Sequence, residues 1–181
     1  ENKGISILPD VAKSILAKME EKGITEKDLA GIGVGAPGTV DEDGTLVGGA
    51  VNIGWDAFNI PEVMQAYINV PVKATNDANA AAYGEMWQGG GKGYENMVAV
   101  TLGTGVGGGI IINGRLLSGS VGAGGEIGHM HIQDGETEEC GCKNKGCLEQ
   151  YASATGIVRL ARRRLQKDDK PSVLREGELS A

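Results

Sequence analysis

Thirty-one of the 181 residues are glycine, and they cluster at residues 103–109 and 119–128 without a fixed period. Clusters without a period exclude a collagen-like helix and a low-complexity tract. They mark places where the backbone turns tightly or approaches a ligand. Hydrophobic residues make up 40% of the chain, enough for a core and against disorder. Aromatics are only 4%, so aliphatic and small side chains must fill that core. The length suits one ordinary domain or two lobes sharing a cleft.

The formal charge of −7 gives the chain no field to attract a polyanion, which argues against nucleic acid or an anionic membrane as a partner. The main basic cluster is Arg162, Arg163 and Arg164, expected as the solvated face of a helix. No apolar run approaches a membrane span and no signal peptide opens the sequence. The three cysteines, Cys140, Cys142 and Cys147, cannot all pair within one chain. Their closeness favours reduced thiolates on a metal and a cytoplasmic protein.

Leu8, Val11, Ile15 and Met19 recur at helical spacing, with Pro9 and Asp10 in the first turn and Gly23 as the stop. Residues 32–36 read as a buried strand, 70–74 as another, and 79–87 as an alanine-rich helix. Residues 88–93, with four glycines, form the expected linker between a first part, 1–90, and a second, 91–181. Residues 97–102 and 106–112 read as strands, with Asn113-Gly114 as a hairpin turn and 128–132 as a short strand. Residues 154–165 form a helix with Ile157, Leu160, Ala161 and Leu165 on one face. Strands alternate with helices in both parts, so the class is α/β.

Four constellations carry chemistry. His129 with Cys140-x-Cys142-x4-Cys147 offers one nitrogen and three sulfurs, a tetrahedral set that fills a structural zinc site. The alternative is three free thiols in a loop, and His131 is a rival ligand. Asn76-Asp77-Ala78-Asn79 stands where a strand meets a helix. Asn and Asp are preferred helix caps, yet a carboxylate at the carboxyl end of a strand is also where α/β clefts bind ligands. One residue can cap while its neighbour reacts. Residues 102–109, Leu-Gly-Thr-Gly-Val-Gly-Gly-Gly, form either an anion-binding nest or a plain hairpin. The Lys-Ser/Thr ending of a Walker loop is absent from this stretch. Glu126 and Glu149 each lie within three residues of a proposed metal ligand, where a pinned loop would hold their carboxylates for sugar hydroxyls.

Taken with Gly35-Ala36-Pro37-Gly38-Thr39-Val40-Asp41, Gly125-Glu126-Ile127-Gly128-His129 and Ala152-Ser153-Ala154-Thr155-Gly156, these strings resemble the ROK family of sugar kinases over nearly the whole chain, bacterial glucokinases above all. The resemblance implies an actin-like ATPase fold of the ribonuclease H-like type, with parts of two lobes flanking a cleft and a zinc-binding loop. It implies Asp77 as general base, and Asn76, Glu126, His129 and Glu149 on a hexose with Gly38 and Thr39 lining the pocket. Gly103, Thr104, Gly105 and Gly107 would face the phosphates of ATP with its Mg²⁺. Zinc would bind His129, Cys140, Cys142 and Cys147. His129 can serve zinc and sugar together only with one ring nitrogen on each.

Glucose is the expected substrate, with fructose, mannose and N-acetylmannosamine as alternatives, and a homodimer or higher oligomer is expected. The family's first phosphate loop and its adenosine-contacting segment have no counterpart in the sequence, which implies an internal segment of a longer protein, inactive by itself. Lys143 replaces the glycine that usually follows the second cysteine, a change in the local turn but not in the ligand count. The rival reading is a sugar-sensing repressor of the same family; retained Asp77 and the intact Gly-Thr-Gly turn favour the kinase.

Overall fold

A computed structural model describes residues 6–50 and 53–181. Helix α1 (Ile7–Lys22) ends at Gly23, whose φ of 66° admits a left-handed cap. The Gly23 and Ile24 amides close it on the Glu20 and Met19 carbonyls, a Schellman pair. Leu8, Ala12 and Met19 face inward, whereas Val11, expected on the apolar face, is exposed. Strand β1 (Ile32–Ala36) follows. Strands β2 (Thr39–Val40), β3 (Thr45–Val47) and β4 (Phe58–Asn59) make a small antiparallel sheet. Helix α2 (Ile60–Gln65) starts at once, capped by the Asn59 side chain, which accepts from the Glu62 amide at 2.9 Å.

Strand β5 (Val72–Asn76) lies parallel to β1, with Ala36 opposite Asn76. It runs two residues later than the sequence pattern suggests and carries Asn76 to the strand's carboxyl end. Helix α3 (Asp77–Gln88) starts there and runs longer than the expected 79–87. Residues 89–94 form a hydrogen-bonded turn, with the Gly89 and Gly91 amides both on the Glu85 carbonyl. Strands β6 (Met97–Leu102), β7 (Val106–Ile112) and β8 (Arg115–Leu116) form an antiparallel sheet.

Helix α3 packs against both β1 and β7. Glycine permits this closeness: a Cβ added at Gly35 would stand 3.4 Å from Ala80 Cβ, and one at Gly107 only 2.9 Å from Ala78 Cβ. Residues 128–132 are not a strand. A 3₁₀ turn, Ile127–His129, occupies their start, and His131 makes a single bridge to Cys147. Gly128 lies against the Val106 backbone, where any side chain would collide with the Val106 carbonyl oxygen.

Two short helices, α4 (Glu149–Ala152) and α5 (Ala154–Leu165), finish the core of the structure. Ser153 caps α5 by accepting from the Gly156 amide. Ile157 is exposed while Leu160, Ala161 and Leu165 are half-buried, so only part of the expected apolar face of α5 is covered. Nor are its arginines merely solvated: Arg163 bonds to Glu136 and Glu138, Arg162 to the Leu179 carbonyl, and Arg164 to Asp168. The chain is therefore α/β, with its largest apolar cluster formed by α1, α2 and the first two sheets.

Candidate active site

The junction of β5 and α3 settles which residue caps. Asn76 Oδ1 accepts from the Ala78 and Asn79 amides at 2.9 and 3.2 Å, and Asn76 Nδ2 donates to the Gly38 carbonyl at 3.0 Å. Asn76 caps the helix through two amides, so Asp77 shares only one of them, that of Ala78. Asp77 is exposed, and its Oδ1 accepts from the Ala78 amide at 2.8 Å. The carboxylate opens into a cavity of about 530 Å³ between α3 and the β6–β7 hairpin.

The same cavity is lined by Asn76, residues 101–108, Glu126, His129 and Glu149. Residues proposed separately for sugar, proton transfer and phosphate thus share one space. Gly38 and Thr39 do not line it. Gly38 reaches it through its bond to Asn76, and its φ of 93° and a Cβ clearance of 3.0 Å to the Gly49 carbonyl oxygen explain the glycine. Thr39 is paired with Val47 in β2, away from the cavity lining.

The glycine turn has two amides already engaged. Gly103 N–H donates to the Gly105 carbonyl at 3.0 Å, and Val106 N–H to Glu149 Oε2 at 2.9 Å. A side chain at Gly105 would collide with the Glu149 carboxylate. The turn is also tied to α5, since Ala154 N–H reaches the Gly103 carbonyl and Thr155 Oγ1 the Thr104 carbonyl at 2.9 and 2.8 Å.

His129, Cys140, Cys142 and Cys147 present ligand atoms that all lie within 4.8 Å of one another. His129 Nδ1 is 3.6 Å from Cys140 Sγ, and Cys142 Sγ is 3.6 Å from Cys147 Sγ. Thiolates about 2.3 Å from a tetrahedral zinc stand about 3.7 Å apart, so the set fits such an ion. Burial pushes the Cys147 thiol up to about 12 and raises Cys140 as well. At Cys142 burial also raises the value, but the Asn144 amide and the two neighbouring sulfurs outweigh it and leave the thiol below its ordinary value. A dication would hold all three as thiolates.

His131 is not a ligand candidate in this geometry. Its ring nitrogens meet the Lys145 carbonyl at 2.9 Å and the Asp134 carboxylate at 3.0 Å. Both partners are acceptors, and the Asp134 carboxylate first, then the Lys145 carbonyl, raises its pKa, so both ring nitrogens are already engaged away from the three cysteines. His129 Nδ1 meets Cys140 Sγ, Nε2 stands 3.9 Å from Glu126 Oε2, and the residue lines the cavity.

The ROK family profile matches residues 7–180. The chain belongs to the ROK family. It is 45% identical over 158 residues to a glucokinase of Halalkalibacterium halodurans, a match covering 87% of this chain and 48% of that protein. It is 39% identical over 156 residues to the xylose repressor of Bacillus subtilis, covering 83% of this chain and 40% of the repressor. Among solved structures, a ROK family glucokinase from Streptomyces griseus, in complex with glucose and AMPPNP, superposes with a TM-score of 0.69 at 36% identity. That match covers 89% of this chain and 51% of the other. The chain spans about half the length of the curated glucokinases it matches.

Gln150, Glu136 and Arg159, which carry no motif signal, and Arg163, expected on a solvated face, brace the cysteine loop from behind. Gln150 is buried, accepting from the Cys147 amide and donating to the Glu138 carbonyl. Its place immediately after Glu149 was the available signal.

Proposed function

We propose that this ROK chain forms the sugar side and part of the phosphate side of a hexose kinase, with glucose as substrate and Asp77 as general base. The convergence of Asp77, Glu126, His129 and the Gly-Thr-Gly turn on one cavity carries the reading. A sugar hydroxyl gives its proton to Asp77 while its oxygen bonds to the γ-phosphorus of ATP, the bridging P–O bond breaks, and ADP leaves. Asn76 keeps one amide hydrogen for the sugar after bonding Gly38. Glu126, His129 Nε2 and Glu149, whose Oε1 also meets Cys140 Sγ at 3.6 Å, are acceptors or donors for further hydroxyls, with Gly38 and Thr39 behind them. Thr104 and Gly105, flanked by Gly103 and Gly107, offer the amides a phosphate would meet, and Mg²⁺ would accompany ATP.

Zinc held by His129, Cys140, Cys142 and Cys147 would be structural and supply no chemistry of its own, since four protein ligands close its shell. Residues 1–90 and 91–181 would belong to the two lobes of an actin-like fold, in a cytoplasmic protein that assembles as a homodimer or higher oligomer. No helix among the described residues is long and apolar enough to cross a membrane.

The repressor reading is supported by the likeness to the xylose repressor. The two are separated by a coupled ATP assay of the whole protein against a panel of hexoses, run on the parent and on Asp77→Asn. The kinase reading expects turnover of glucose, and a loss in kcat of about 10²–10⁴ in the variant with little change in sugar affinity. Sugar binding without turnover on any hexose supports the repressor. Near-parental turnover in Asp77→Asn removes Asp77 from the mechanism.

A further inference from the structure

The ten residues between His129 and Cys140 bury only one side chain almost completely, and it is charged. Glu136 has a side chain 1% exposed. Its carboxylate accepts from Tyr151 Oη at 2.6 Å, from Arg159 Nη1 at 3.0 Å, and from Arg163 Nη1 and Nη2 at 3.0 and 2.7 Å. A buried carboxylate is tolerated only when its lone pairs are met in this way. Exposed ion pairs contribute little by comparison, and Arg164 with Asp168, one face of α5 away, is such a pair.

The arginines do more than neutralise Glu136. Arg159 Nη2 donates to the Gln150 carbonyl at 2.8 Å, and its guanidinium lies over the Tyr151 ring, 5.4 Å from the centroid. Gln150 in turn holds the Cys147 amide at 3.1 Å and the Glu138 carbonyl at 3.0 Å. Glu138 is also bonded to Arg163, by Nε at 3.1 Å and Nη2 at 2.6 Å. One charged cluster on α5 therefore reaches the backbone of one cysteine, a residue two before another, and the residue next to Glu149.

We propose that Glu136, Arg159 and Arg163 are positioning residues: a clamp that holds the cysteine loop at metal-binding geometry and sets how long the metal stays. The proposal rests on the metal reading of His129, Cys140, Cys142 and Cys147. None of the three touches a ligand atom or lines the cavity. They act through Gln150 and the loop backbone, as outer-shell groups act on metal sites.

The test uses the zinc-loaded chain. Transfer of zinc to a chromophoric chelator is followed for the parent, Glu136→Gln, and Arg164→Met as the control on the same helix. Glu136→Gln keeps the shape but removes the charge that Arg159 and Arg163 grip, and should release zinc about 10–100-fold faster. Arg164→Met should match the parent. With cobalt(II) in place of zinc, the visible absorption bands of Glu136→Gln should move, since those bands report ligand geometry and not global stability. Arg159→Lys, which keeps the charge but loses the fork, stands in if Glu136→Gln does not fold, with the same direction expected. A parent that takes up no zinc overturns the metal reading and this proposal with it. A parent that holds zinc, with variants that release it at the parent rate and an unmoved cobalt spectrum, overturns the clamp alone.

Discussion

The two parts of the molecule are held together by different physics. In residues 7–76, fully buried Leu46, Ile60 and Met64 share one apolar core with Leu8, Ala12, Val40, Trp55 and Val72, and fully buried Ile68 packs with Met19 and Val70 in a second cluster. In residues 97–165 the largest fully buried side chains are Ile111, Cys147 and Ser153. The second part replaces apolar volume with close backbone approach at glycine, a thiol–imidazole cluster and an arginine–glutamate clamp. A core of aliphatic side chains is non-directional and tolerates repacking. Directional bonds fix atoms in place, which suits a region that must present Glu126, His129 and Glu149 to one cavity, but they fail abruptly when a partner is lost.

Removing the metal is the largest test of this contrast. Structural zinc binding is worth about 10–16 kcal/mol to small domains at neutral pH, and that energy is folding energy. Chelation of the zinc-loaded chain should abolish amide-exchange protection in residues 126–165 while residues 7–76 keep theirs. Uniform loss across both parts, or none, would show that the contrast has no energetic meaning.

Leu46→Ala probes the other part. A fully buried leucine truncated in a packed core costs about 2–5 kcal/mol. The loss should appear as a lower urea midpoint for the first part, and a zinc-loaded chain should keep its ion. A cost below about 1 kcal/mol would mean that this core is loose.

Acid should act on the second part through Glu136. Arg163 first, then Tyr151, holds its carboxyl well below the ordinary value of 4.5. A depressed folded pKa gives stability that is complete above the unfolded value and is lost as pH falls. The stability gap between parent and Glu136→Gln should therefore be flat from pH 7 to about 5 and shrink below 4.5. A gap that widened in acid would contradict the ion-pair geometry, and monitoring the gap cancels the protonation of the metal ligands common to both proteins.

The contrast also explains what could be read from residues alone. β1, β6, β7 and α1 announce themselves through period and punctuation, and the clustering of Asp77, Glu126, His129 and the glycine turn follows the motifs. Helix α2 was legible in principle, because Asn59-Ile-Pro-Glu62 is a capping signature. At six residues it is too short for periodicity to show. The clamp was not legible. Glu136 meets Arg163 across 27 positions, and nothing in the spacing tells the half-buried arginine that grips it from the more exposed ones beside it. The choice of His129 over His131 also waited on geometry, because it turned on the partners each ring already has.

The smallest effect sits inside the cysteine loop. In the first part every described positive φ outside the β-region belongs to glycine, from Gly23 to Gly54, whereas the second part places Asn113 at 51° and Lys143 at 70°. Asparagine tolerates the left-handed region; lysine does so at a cost of about 1–2 kcal/mol. The strain is kept by the bonds around it, Lys143 N–H to the Cys140 carbonyl at 2.9 Å and Cys140 N–H to the Asn144 carbonyl at 2.7 Å. Lys143→Gly relieves that strain but gives up about 0.5–1 kcal/mol in unfolded-chain entropy, so the net gain should be about 0.5 kcal/mol, or about 1–2 °C in Tm for a chain of this size. Lys143→Ala removes the same exposed side chain and keeps the Cβ, so it should gain nothing. If alanine and glycine stabilise equally, the effect comes from the lysine's charge beside the loop and not from its backbone. If glycine destabilises, the left-handed turn is not what holds Cys142 in reach of its partners.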